Sequence, residues 1–173
     1  HLEVTLEGSI NDPNFLKQKK ALEAKGFTVK MKGEEKDVIL SEGEQFVEKW
    51  TNAQIPTFSI SDLNEIVISS EDIKGKFVYI NFWSVTCKPC IEEFSELNEL
   101  KKKYGDQLVF IAIAPESNEK VNRILKNNPL DYIVAGNSKL LFEELGVGGY
   151  PKNFFINPDG KIMMVTDGTH YKM

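Results

Sequence analysis

Lys76-Phe77-Val78-Tyr79-Ile80-Asn81-Phe82-Trp83-Ser84-Val85-Thr86-Cys87-Lys88-Pro89-Cys90 decides the fold. Residues 76–83 are nearly all aromatic or β-branched, the composition of a central strand buried on both faces. A helix is expected from the cysteine pair to about Tyr104, closed by Gly105, because Ile91, Phe94, Leu97, Leu100 and Tyr104 line one face. Downstream, Leu108–Ala114 reads as a second buried strand and Asn118–Lys126 as a helix ended by Asn127-Asn128-Pro129. Tyr132–Val134 suits a short strand, and Ser138–Leu145 suits a helix stopped by Gly146. Asn153–Ile156 and Lys161–Thr166 enclose Asn157-Pro158-Asp159-Gly160, a strong turn signal and so an antiparallel hairpin. Upstream, Phe58–Ile60 and Ile66–Ile68 flank the turn at Ser61–Glu65 as an earlier hairpin. Strand–helix alternation closed by a hairpin predicts an α/β fold, a mixed sheet flanked by helices.

Residues 1–51 differ in texture and read as an appendage on that body, with Asn52–Pro56 as the linker to a main domain over 52–173. Asn14–Lys25 suits a short helix, with Asp12 as N-cap, Pro13 in its first turn and Gly26 as stop. Phe27, Val29 and Met31 alternate with Thr28, Lys30 and Lys32 as in a half-buried strand, and Val38–Leu40 is expected to return as its hairpin partner. The stretch that begins at His1 carries Glu3 and Glu7 and no apolar run, so no signal peptide is expected in it.

The chain has 173 residues, 41% of them apolar and 27% charged, with a mean hydropathy of −0.30. That supports one compact domain with a real core and excludes disordered, collagenous and disulfide-scaffold classes. Its longest apolar runs fall far short of the ~20 residues that cross a bilayer. With 21 Lys and Arg against 26 Asp and Glu, a formal net charge of −5, nothing supports a nucleic-acid surface or a polybasic membrane patch.

Cys87 and Cys90 are the only two cysteines. A structural disulfide framework would scatter its cysteines to close long loops, whereas here both thiols share one tetrapeptide. Their place between a buried strand and a helix has consequences. A helix N-terminus offers unpaired N–H groups and partial positive charge, which favour a thiolate and lower a cysteine pKa to roughly 3.5–7.5. Lys88 adds in the same direction if it stays near the sulfur, and Pro89 fits a first helical turn. Two intervening residues allow the sulfurs to meet in a small ring. Cys87, nearer solvent, is the expected attacker, and Cys90 beneath it is suited to break a mixed disulfide. The competing readings are half of a zinc site, whose other ligands would be His1 and His170 at the chain extremes, and two inert core cysteines, which Lys88-Pro89 opposes.

The segment Phe82–Cys90 resembles the active-site segment of thioredoxin-fold proteins and is most similar to the extracytoplasmic TlpA/ResA-like thiol–disulfide oxidoreductases. Pro56-Thr57-Phe58, Asn81, Glu93 and Gly149-Tyr150-Pro151 before Phe154-Phe155-Ile156-Asn157 extend the resemblance, which spans about residues 55–167. It implies a thioredoxin-like sheet, a redox-active Cys87–Cys90 disulfide with no other cofactor and no metal, and a cis peptide bond before Pro151. It also implies that the Tyr150 backbone pairs with a substrate strand, with Trp83, Lys88 and Pro89 flanking the binding surface. Glu93, three residues past Cys90, is implied to be partly buried beneath the pair, where its raised pKa lets it accept the proton of the resolving thiol. Its place on a helix N-terminus would suit an ordinary surface glutamate as well, and Glu92 fits that description. Asn81 stands where cytoplasmic members carry a buried aspartate. Lys152 departs from the family, where a small hydroxylated residue is usual, and is expected to put a cation near the binding groove.

The expected function is exchange of electrons with protein thiols and disulfides, as a reductant in a pathway such as cytochrome maturation, fed by an upstream donor or acceptor. No nucleic-acid partner is expected. The alternatives are a peroxiredoxin-like thiol peroxidase, which Thr86 directly before Cys87 opposes by its spacing, and a metal-binding or delivery module. The resemblance also implies an exported monomer, tethered to a membrane outside this chain. It further implies a final helix over the sheet; in the stretch read to Met173 that helix is expected to be missing, either because the stretch is truncated or because the N-terminal appendage covers that face.

Overall fold

A helix joining two strands of one sheet returns the chain in its original direction, so the strands pair in parallel. This is what the beginning of the chain does. The computed structural model describes residues 3–7, 13–32 and 40–168 and divides the chain into two units, His1–Ile39 and Leu40–Met173. In the first unit, β1 (Glu3–Glu7) pairs in parallel with β2 (Thr28–Lys32) through α1 (Pro13–Glu23). The helix stops as expected at Gly26, whose φ of 84° is left-handed, with the Phe27 N–H donated to the Leu22 carbonyl at 3.2 Å. The expected partner of β2 is therefore corrected. It is β1, a strand not foreseen, although Val4 and Leu6 do alternate with Glu3, Thr5 and Glu7. Of the expected return strand Val38–Leu40, only Leu40 is described, and it belongs to no element; Asp12 also lies outside the described residues.

The boundary between units falls about twelve residues before the expected linker. The reason is α2 (Glu42–Trp50), which belongs to the main sheet. Ser41 caps it with a reciprocal box, its hydroxyl taking the Glu44 N–H and its own N–H donated to the Glu44 carboxylate at 2.8 Å. Phe46 and Trp50 are buried, each ring 5.8 Å from that of Phe154, and the Trp50 indole donates to the Leu145 carbonyl at 3.0 Å. Residues 52–55 are not a free linker either. Asn52 N–H reaches the Ile162 carbonyl at 2.8 Å, and Ile55 N–H reaches that of Gly160 at 2.9 Å.

The rest of the second unit follows the sequence closely. β3 (Ser59–Ser61) and β4 (Val67–Ser69) form the first hairpin. β5 (Phe77–Phe82) then leads into α3 (Lys88–Glu92), α4 (Phe94–Tyr104) and β6 (Leu108–Ile113). α5 (Asn118–Leu125), β7 (Ile133–Ala135), α6 (Lys139–Leu145), β8 (Lys152–Ile156) and β9 (Ile162–Asp167) complete it. The sheet order is β7-β6-β5-β8-β9, with β8 alone running against the others and so antiparallel to both of its neighbours, β5 and β9. The fold class is the mixed α/β sheet expected.

Side chains of β5 alternate between two cores. Val78, Ile80 and Phe82 join Phe46, Trp50, Phe142 and Phe154 on the face of α2 and α6. Tyr79 and Trp83 join Cys90, Phe94, Leu97 and Phe110 on the face of α3 and α4. β8 alternates likewise, and this corrects the expectation for Lys152. Its side chain lies on the α2 face with Phe154, 6% exposed, away from the cysteine helix. There the ammonium meets Asp167 at 2.7 Å and stands 4.4 Å from the Phe46 ring centre. Gly43 of α2 faces the same carboxylate, and a Cβ there would require Asp167 Oδ2 to move.

Removing one partner of a buried pair strands the other charge. Asp167→Ala is expected to lower unfolding stability by about 2–3 kcal/mol, while Lys152→Met, which removes charge and partner need together, changes it by less than about 1 kcal/mol. Urea unfolding midpoints of the two variants check this, and an equal loss in both would show that the pair is not what matters.

Candidate active site

β5 is buried from Val78 to Phe82, and the chain leaves it through Trp83–Thr86 before turning into helix. Cys87 is the N-cap of α3 and Pro89 lies in its first turn. The Cys90 N–H points at the Cys87 sulfur, 3.3 Å away, and the Ile91 N–H at the Cys87 carbonyl, 3.2 Å away. Cys87 and Cys90 form a disulfide with their Cα atoms 5.3 Å apart. The two sulfurs differ in access, because Cys87 is half-buried and Cys90 is 2% exposed, packed in the core with Trp83 and Phe94.

The single helix expected from the pair to Tyr104 is kinked at Glu93, where ψ is −12°. Hydrogen bonds carry through the kink, from Glu93 N–H to the Pro89 carbonyl at 3.2 Å and from Leu97 N–H to the Glu93 carbonyl at 3.0 Å. Glu93 itself is buried, 7% exposed, and neither carboxylate oxygen has a hydrogen-bond partner among the described residues. Burial, and secondarily the charge of Glu96, pushes its pKa up to about 7. Glu92, by contrast, is exposed and sits 3.5 Å from the ammonium of Lys88. Lys88 is thus turned along the helix surface toward Glu92, and Pro89 beside it is exposed.

Two more unpartnered atoms lie on the same side of the sheet, Trp83 Nε1 and Asn81 Oδ1. Asn81 is 1% exposed, and its amide donates to Asn153 Oδ1 at 2.8 Å. Trp83 is fully buried, edge-on to Phe94 at 5.0 Å, so its indole supports the cysteine layer from within and presents no surface to a substrate. The Tyr150–Pro151 peptide is cis, as the resemblance implied. Lys152 pairs with Phe82, the last residue of β5, so Tyr150 and Pro151 lie at the end of the sheet from which the cysteine loop departs. The Tyr150 ring stands 5.8 Å from that of Phe142, and its hydroxyl is pushed above the usual tyrosine range by burial and then by the charge of Glu116.

Glu116 was not among the residues the sequence singled out. It follows β6 and accepts the Ser84 hydroxyl at 2.6 Å, in the loop that precedes Cys87. Its position after the carboxyl end of a parallel strand was the available signal, since sites of open α/β sheets gather there. No group of three or more His, Cys, Asp or Glu side chains among the described residues is arranged to hold a metal, and His1 and His170 lie outside them.

Comparison with known proteins agrees with this arrangement. Residues 51–165 match the AhpC/TSA family. The thiol-disulfide oxidoreductase ResA of Bacillus thuringiensis (strain Al Hakam) is 36% identical over 113 residues, 64% of this chain and 65% of that protein. ResA of Bacillus subtilis (strain 168) is 31% identical over 131 residues, 73% of this chain and 72% of that one. A solved structure from Chlorobium tepidum, assigned as a thiol:disulfide interchange protein DsbE, superposes with a TM-score of 0.62 at 25% identity. It covers 66% of this chain and 83% of that chain.

A carboxyl whose pKa rises from 4.5 to about 7 on folding stabilises the fold fully below pH 4.5, and that contribution is lost as the pH climbs through about 7. Relative to Glu93→Gln, the disulfide form of the protein should therefore lose about 2 kcal/mol of stability between pH 5 and pH 8. Urea unfolding at the two pH values measures it, and parallel pH slopes in the two proteins would discard the buried carboxyl as the cause.

Proposed function

The chain belongs to the AhpC/TSA family and groups with the ResA thiol–disulfide oxidoreductases, and from that premise we propose that it reduces disulfides of partner proteins through Cys87 and Cys90. The observation that carries the reading is the unequal access of the two sulfurs, with a buried, protonatable carboxyl three residues past Cys90 in the chain. In the dithiol, Cys87 as thiolate attacks a partner disulfide, forming a mixed disulfide and releasing one partner thiolate, which takes up a proton. Cys90 then gives its proton to Glu93, and its thiolate attacks the Cys87 sulfur. The second partner thiolate leaves and is protonated, and Cys87–Cys90 is oxidised as the partner gains two electrons and two protons. A carboxyl with a pKa of about 7 suits that proton transfer, because near neutral pH it is ionised in about half of the molecules.

Tyr150 and Pro151 supply the edge against which an extended partner segment lies, with Lys88 and Pro89 at the exposed rim. The chain spans 65% of the length of the Bacillus thuringiensis relative, so the activity is proposed for this chain on its own site. On the resemblance to the TlpA/ResA-like group, we place its work outside the cytoplasm, on partners such as apocytochromes awaiting haem. None of its helices among the described residues is long and apolar enough to cross a membrane.

Reduction of a protein disulfide should vanish in Cys87→Ser, whereas Cys90→Ser should accumulate a mixed disulfide with the partner, identified by mass. Glu93→Gln should flatten the rate of exchange against pH between about 6 and 8. Equilibration with glutathione should give a potential more reducing than about −200 mV. A value near about −120 mV, that of strong oxidants, would reverse the direction of the reading.

A further inference from the structure

Ser84 is the knot of the loop before the cysteine pair. It is 2% exposed, its hydroxyl oxygen accepts the Thr86 N–H at 3.3 Å and lies 3.0 Å from Thr86 Oγ1, and its carbonyl accepts the Cys87 N–H at 3.0 Å. The knot is tied to the body of the protein by Glu116, which takes the Ser84 hydroxyl at 2.6 Å on Oε1 and the Val85 N–H at 3.4 Å on Oε2. Glu116 is in turn fixed from behind. Its carbonyl accepts the Asn137 N–H at 2.6 Å, and the neighbouring Asn118 side chain accepts the Gly136 N–H at 3.1 Å. The two loops meet as closely as glycine permits, since a Cβ on Gly136 would lie 2.8 Å from the Glu116 carbonyl oxygen.

The effect of this tether changes with redox state. In the disulfide form, Cys87 is held covalently as well as by its loop. Reduction adds two electrons and two protons, breaks the sulfur–sulfur bond and leaves the loop as the main restraint on Cys87. A loosely held Cys87 would gain freedom in the dithiol that must be given up again when the ring closes. An anchored loop removes that entropic cost and favours the disulfide, which makes the couple a stronger reductant.

We propose that Glu116, acting through Ser84, is a positioning residue that keeps Cys87 in ring-closing register and makes the Cys87–Cys90 couple more reducing. The inference rests on the reading of that pair as an exchanging couple, and it adds the device that sets its poise.

The test is equilibration with glutathione buffers, in which two glutathione thiols become one disulfide as the pair is reduced, read as the dithiol-to-disulfide ratio after acid quenching. It needs no partner protein, whereas exchange with a protein disulfide is assayed apart, so failure of one is separable from failure of the other. Ser84→Ala and Glu116→Ala should each shift the equilibrium toward the dithiol about tenfold, which is about 30 mV for this two-electron couple. The double variant should shift it no further, because both remove one anchor. Glu116→Gln, which keeps an oxygen for the Ser84 hydroxyl, should remain within about twofold of the wild type. Either alanine variant suffices if the other does not fold. Unchanged equilibria beside a lowered melting temperature would overturn the proposal, as would additive shifts. A shift in Glu116→Gln as large as in Glu116→Ala would overturn it too, since charge rather than anchoring would then be responsible.

Discussion

Two thiols three residues apart have the same chemistry until the backbone gives them different surroundings, and the turn from buried strand to helix does that here. From Val78 to Phe82, β5 carries its side chains into buried layers on both faces and leaves no reactive group at the surface. Once the chain leaves the strand, Cys87 stops at the N-cap, within reach of solvent and of the Cys90 N–H, and Cys90 is carried under it into the layer of Trp83 and Phe94. Burial alone gives the two sulfurs unequal access to solvent.

The same layer concentrates the chain's unsatisfied polar atoms. Among the described residues, the buried side-chain atoms without a hydrogen-bond partner are both Glu93 oxygens, Trp83 Nε1 and Asn81 Oδ1, all on the cysteine side of the sheet. Buried polar groups are ordinarily paired, so this clustering sets the cysteine side of the sheet apart, and burial there raises the Glu93 pKa to about 7. The opposite face is packed differently. Phe46, Trp50 and Phe154 interlock there, and the buried ammonium of Lys152 is paired with Asp167 and set over an aromatic ring. The two faces meet in β5 and β8 and otherwise serve separate ends.

Much of this was legible in the residues themselves. Runs such as Phe77–Phe82 and Leu108–Ile113 can only be buried strands, and the Asn157–Gly160 turn fixes the antiparallel end of the sheet, because local composition and turn chemistry act within a few residues. The cysteine pair was found by spacing, and Glu93 and Pro151 by likeness to a family. Even α2 had its capping box written at Ser41 and Glu44, yet a helix of nine residues declares its allegiance only through what it buries, and Phe154 is more than a hundred positions away.

The sequence by itself thus determined most strands and helices from Phe58 onward and which two sulfurs can meet, since hydrophobic period, turn residues and a two-residue gap are local properties; β1 and α2 escaped it. Tertiary structure alone decided that Lys152 faces away from the cysteines, that Trp83 is sealed, that the first strand pairs in parallel with the second, and that Glu116 reaches Ser84 across thirty-two positions. Each of these depends on which face of a sheet a side chain takes or which strand lies beside another. Those choices follow from closing the whole core at once, not from any one stretch of chain.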